Sequence, residues 1–234
     1  MPGQASGSVN SQLLLIFNTT TWANVAINAT SGPFTNWYLS LHTADPIAGN
    51  QSTSELSYSG STPYARVAVA RSSGGFTVSS NTVVTAGNTT FPQNTSITSQ
   101  TALFWGVGSA SSGNGIIEYS GPICASAVTP IPFTCTNASP AVFTSHAHGF
   151  SAGQAVLMWA GVGGTLPTGF SASTIYYVIS SGLTTDAFQL SATLGGSAIN
   201  SSSSGDGVIV AASPLIIGQN VTPILSAGTV ITGV

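Results

Sequence analysis

From Trp37 to Ile231 the sequence never sustains helical spacing of its apolar residues for the length of an ordinary helix, and that leaves β-structure. What it shows are short apolar runs bounded by Gly, Asn, Ser and Pro. Trp37-Tyr-Leu-Ser-Leu-His42 alternates apolar and polar residues before Asp45-Pro46 turns the chain. Tyr64–Arg71 sets Ala65, Val67, Val69 and Arg71 on one face, with Arg66, Ala68 and Ala70 on the other. Further strands are predicted at Phe76–Ser79, Val83-Val84, Thr89–Phe91, Leu103–Val107 and Gly115–Tyr119, with turns such as Ser111–Gly115 between them. The one exception is N-terminal. Leu13–Phe17, with Trp22 and Val25, predicts a short helix capped by Ser11 and ended by Asn18-Thr-Thr-Thr, behind a mobile Gly/Ser/Pro arm reaching about Asn10.

Three prolines within Gly121–Pro132 mark a change, and a second set of strands follows. These are Phe133–Thr136, Ala141–Thr144, Ala155–Trp159, Ile175–Ile179 and Ala187–Leu190, closed by the soft polar loop Asn200–Gly207. Beyond it, Val208–Val210, Leu215–Ile217, Thr222–Leu225 and Thr229–Ile231 resemble the first set. Many short strands at regular spacing predict an all-β sandwich or barrel. The simplest organisation is one β domain, residues 1–126 and 212–234, interrupted by a smaller β domain at 127–211. There is no repeat of 20–50 residues that would signal a solenoid.

Charge narrows the function classes. The chain has two basic residues, Arg66 and Arg71, and five acidic ones, Asp45, Glu55, Glu118, Asp186 and Asp206, so only 3% of its residues are charged. Two cations cannot neutralise a run of phosphates, which excludes charge-driven nucleic-acid binding. Without lysine there is no Walker-type loop, no Schiff base and no polybasic membrane patch. Leu13–Phe17 is too short for a signal h-region or a membrane span, and Met1–Asn10 carries no positive charge. Near-neutral surfaces associate, so the composition favours a protein whose natural state is an assembly.

Few residues could carry chemistry. His146-Ala-His148 has metal-like spacing if it lies on a strand, but no acid or Cys stands within a few residues; the alternative is one His capping the turn at Gly149 and the other in solvent. His42 and Asp45 lie among serines, yet no Gly-x-Ser-x-Gly elbow is present. Arg66 and Arg71 would pin the loop from Asp45 to Tyr64 through Glu55 or Asp45, or meet an acidic neighbouring subunit. Tyr58 or Glu55 could pair with an arginine. Cys124 and Cys135 could approach bridging distance if the chain doubles back, or stay as packed thiols. Trp37, Tyr38, Trp105, Trp159, Tyr176 and Tyr177 suggest sugar platforms, although on alternating strands such rings are core or interface. Asp186 and Asp206 would serve a glycosidase only if folding brought them together. No catalytic, cofactor-binding or metal residue is assigned on these grounds.

Trp37–Pro46 (WYLSLHTADP), Glu55-Leu-Ser-Tyr58 with Tyr64–Ala70, Thr90-Phe-Pro92 and Phe104–Gly121 occur in an order that resembles a group of small tailed-phage virion proteins. Members are often labelled tail-fibre proteins and include capsid cement, or decoration, proteins. Ile217–Val234 resembles the closing strands of that group. Within Pro132–Ala211, the segments Phe133–Thr144, His148–Gln154, Leu166–Gly169 and Thr174–Val178 are similar to a small β module found in phage structural proteins. That module is related to the FCCH-type domain of ubiquitin-activating enzymes, and in it His148-Gly149 occupies a turn. The resemblance implies a jelly-roll-like β-sandwich with a short N-terminal helix or arm and an inserted small β-barrel. It also implies a non-enzymatic decoration protein, made in the host cytoplasm and bound to the outer surface of the capsid. Its expected partners are the major capsid protein and itself as a homo-oligomer, a trimer being favoured over a dimer, with no nucleic acid, membrane or cofactor. The arm Met1–Ser11 is expected to order only on the shell. The alternative is a tail-fibre component that recognises a host-surface glycan through the inserted domain.

Overall fold

The computed structural model describes residues 6–21, 34–47, 49–79, 82–123, 130–172 and 174–232. Among them the fold is all-β with a single helix. The chain divides into two compact units, residues 1–121 with 215–234, and residues 122–214.

Helix α1 (Ser6–Asn18) opens the larger unit and starts a turn and a half before the expected Ser11 cap. The reason is Val9. With Leu13 and Phe17 it forms a buried stripe at four-residue spacing, which carries the helix back into the segment expected as a mobile arm. Thr19 ends it in the left-handed conformation (φ 57°), and the Thr20 N–H reaches back to the Leu14 carbonyl at 3.1 Å. Trp22 and Val25 lie outside the described residues. Phe17 makes an edge contact with Phe76 at 4.9 Å and also meets Trp37 and Tyr119, so the helix is anchored by its last turn.

Strands β1 (Asn36–His42), β2 (Val67–Ala70), β7 (Phe104–Gly108) and β8 (Ile117–Pro122) form a four-stranded sheet in the order β2-β1-β7-β8. β1 pairs antiparallel with both neighbours, Trp37 opposite Val69 and Leu41 opposite Trp105. β3 (Phe76–Ser79), β4 (Thr82–Thr85), β5 (Thr89–Thr90) and β6 (Gln100–Ala102) complete the first run of the unit. The chain's end returns to them: β16 (Leu215–Ile217) pairs with β6, β17 (Ile224–Leu225) with β5, and β18 (Val230–Thr232) with β4, which also pairs with β3. Phe17, Leu39, Leu41, Phe76, Val83, Phe91, Phe104 and Ile217 fill the core, each contributing roughly 1.5–3 kcal/mol by burial.

The second unit is a seven-stranded antiparallel sheet. Its strands are β9 (Ile131–Cys135), β10 (Phe143–Thr144), β11 (Ala155–Ala160), β12 (Tyr176–Val178), β13 (Ala187–Phe188), β14 (Leu190–Ser191) and β15 (Gly205–Ala211), in the order β13-β10-β9-β15-β11-β12-β14. The two edge strands are separated along the chain by Gln189 alone, so the sheet must curl until its edges nearly meet. Inside, Phe143 stacks on Phe188 at 5.3 Å and meets Phe133 and Phe170 at 5.2 and 4.9 Å, with Val156, Met158, Tyr176 and Ile209 around them. A near-closed sheet leaves little free edge on which another chain could add a strand.

Candidate functional site

A group of buried polar side chains lies where β1 ends. Ser40, His42 and Gln51 are all fully buried. In β1 Ser40 and His42 share a face, and β7 opposes them with glycines where any side chain would collide. A Cβ on Gly106 would stand 2.8 Å from His42 Nε2 and 2.9 Å from Ser40 Oγ, and one on Gly108 would meet the Gln51 side chain. The pocket exists because β7 reads Phe-Trp-Gly-Val-Gly.

His42 Nδ1 lies 2.9 Å from the Thr53 carbonyl. A carbonyl only accepts, so Nδ1 carries the hydrogen and Nε2 is left to accept from the Ser40 hydroxyl, 2.8 Å away. Burial holds the imidazole below its ordinary value against the opposing pull of the Thr53 bond and of Glu55. A serine–histidine pair at this distance is the geometry of an activated nucleophile, but here both groups are sealed in the core and the ring is oriented by a carbonyl, not a carboxylate. Asp45 is engaged elsewhere, accepting from Ser120 Oγ at 2.6 Å.

Glu55 forks onto Arg66 with both contacts at 2.7 Å, and Arg66 further donates to the carbonyls of Ala110 and Gly113. The bidentate pair ties the loop from Asp45 to Tyr64 to the turn before β8, which is the loop-pinning role read from the sequence. Arg71 does something the sequence did not suggest. It donates to the carbonyls of Ile16 and Leu15 at 2.5 Å each, joined by the Trp37 indole at 3.1 Å, and so caps the C-terminal end of α1. Tyr58 does not meet an arginine; its hydroxyl donates to the Pro92 carbonyl. Gln51 accepts from the Ala110 N–H at 2.8 Å. Asn94, also fully buried, donates to the carbonyls of Thr98 and Ile217, fastening the returning C-terminal segment.

In the second unit His146-Ala-His148 is a turn, not a strand, because Ala147 is left-handed (φ 48°) and Gly149 follows at 67°. The rings therefore diverge. His148 is buried and its Nδ1 accepts the Phe150 N–H at 2.9 Å, capping the turn, while His146 is 94% exposed and sits 3.1 Å from Asp186. Asp186, which also takes the Ala147 N–H at 2.7 Å, is held below the usual carboxylate range first by that bond and then by the histidine. Among the described residues no three His, Cys, Asp or Glu gather to hold a metal ion.

Asp186 and Asp206 are not brought together. Ala187 opposes Thr144, which opposes Thr134, which opposes Asp206. Three ladder steps lie between the two positions, on strands that are not neighbours, so the pair is not set side by side as glycosidase carboxylates are. Of the six aromatic candidates, Trp37, Trp105 and Tyr176 are buried and the others half-buried. Cys135 is a buried free thiol, pushed up to about 11 by desolvation. Cys124 lies outside the described residues.

Residues 17–129 match the family described as Gp80, podophage GP4 fiber I protein gp80. The chain is similar to that family over this stretch, which supports a structural, fibre-like protein of a phage particle. No curated protein matches the chain, and no solved structure does. No helix among the described residues is long and apolar enough to cross a membrane.

Proposed function

We propose that this chain is a structural protein of the phage particle, carried on the outer surface of the capsid as a decoration protein. The observation that carries the structural role is the match of residues 17–129 to a phage fibre family. What favours the shell over a shaft is architecture: the described residues build two compact β units, with no repeat whose stacking would draw out a fibre. The larger unit would grip the major capsid protein and further copies of this chain, a trimer being favoured. The FCCH-like unit, residues 127–211 as read from the sequence, would project.

Attachment of this kind needs apolar surface, and the last ribbon offers it. Ile216, Val221 and Ile224 are exposed along the segment, while Ile217 and Leu225, each next in the chain to one of them, are buried. At ~25 cal/mol per Å² such surface multiplies over a symmetric array into lasting attachment. With so few charges, that attachment is nearly indifferent to salt. Co-sedimentation with shells stripped of this protein tests it. Binding that persists between about 0.05 and 1 M salt is expected, and absence of binding at any salt contradicts it.

The second reading is a fibre component that binds a host glycan through the smaller unit, favoured by the family's description as a fibre protein. A glycan array probed with the whole chain separates the two.

A further inference from the structure

We propose that His42 is an acid-operated release for the segment around Thr53: a proton added to its Nε2 drives the ring out of its pocket and frees that segment from β1.

The neutral ring satisfies its pocket in one way only. Nδ1–H donates to the Thr53 carbonyl and Nε2 accepts the Ser40 hydroxyl hydrogen. A proton from solvent takes the Nε2 lone pair. The Ser40 hydrogen must then turn to the Gly106 carbonyl, which stands 3.4 Å from Ser40 Oγ, at the limit of a hydrogen bond. The new charge also finds no free counter-charge. The ionic groups whose fields reach the ring are Glu55, Arg66 and Asp45. Glu55 gives both oxygens to Arg66, Asp45 accepts from Ser120 and from the Ile47 N–H, and Arg66 repels.

The ring is fully buried, with Gly106, Ser40 and Ile117 around the space beside Nε2, so solvent meets it only as it swings outward. A charged imidazole is hydrated only by leaving, and leaving breaks the bond to Thr53. Ser54, next in the chain, is already held left-handed at φ 53° between two backbone bonds, one from Thr43 N–H just past β1 to the Ser54 carbonyl and one from Leu56 N–H to the Leu41 carbonyl in β1. That strained residue is where the segment opens once Thr53 lets go.

Imidazole ¹H–¹⁵N spectra of the whole chain from pH 8 to 4, with amide exchange at each pH, give the test. The expected result is His42 as the Nδ1–H form at pH 8, titrating below the ordinary imidazole value of about 6.5. Amides of residues 51–56 should lose protection in the same step while those of β9, β11 and β15 keep theirs. Three outcomes overturn the proposal: His42 titrating at or above that ordinary value, residues 51–56 keeping their protection as His42 charges, or both units unfolding together in that step.

Discussion

Gly108 decides whether Gln51 can stay in the core. A Cβ there would stand 2.2 Å from the Gln51 side chain and 2.4 Å from the Ile116 carbonyl, which is backbone and cannot yield. Gly108→Ala is therefore expected to cost about 1–3 kcal/mol, read as a lowered urea midpoint. Gly113→Ala has open space and loses only the left-handed preference, roughly 1–2 kcal/mol, so it should cost no more and leave residue 51 protected from exchange. At Cys135 the raised thiol predicts that alkylation of the native protein leaves this residue unlabelled, and that unfolding exposes it; peptide mapping checks both. These residues were only partly legible in the sequence. Arg66 with Glu55 could be read because both are ionic and the chain has few alternatives. The histidine pocket could not, because only Ser40 is near in sequence, while the carbonyl that fixes the ring is eleven positions away and the glycine that makes room is sixty-four away. Nothing in residue type marks such groups.

The strands were legible because their alternation is local. Trp37–His42, Phe76–Ser79, Ala155–Trp159 and Leu215–Ile217 stand within about a residue of where the pattern sets them, as assignments at element ends do. β6 was missed. Gln100-Thr-Ala102 has no apolar alternation and becomes a strand because Leu215–Ile217 returns to it from more than a hundred residues away. The helix was placed too late, since a single valine, Val9, extends its buried stripe by a turn. Arg71 makes the helix testable as an element. Arg71→Ala removes donors from the Leu15 and Ile16 carbonyls and is expected to cost about 1–3 kcal/mol, with amide exchange rising first in Phe17 and Asn18. For the apolar ribbon, Ile216→Asp and Ile224→Asp should abolish shell binding while leaving the melting temperature within about 3 °C, because both side chains already face solvent.

At the scale of the molecule, acid and dissection are the informative perturbations. The folded state refuses a proton at His42 that the unfolded chain accepts, so unfolding binds protons below the unfolded value of about 6.5. Stability of the larger unit is fully present above that pH and falls as pH drops below it; urea titrations at pH 7.5 and 5 should show the midpoint falling. Residues 122–214 hold their own aromatic core. Expressed alone they are expected to fold, with dispersed amide spectra, and Phe143→Ala should unfold them at a cost of about 3–5 kcal/mol. A decoration protein sits on the capsid in icosahedral number, so the copies of this chain per purified particle, counted by quantitative mass spectrometry against the major capsid protein, decide its place. On the order of hundreds are expected, and roughly tens or fewer, or none at all, would rule the shell out.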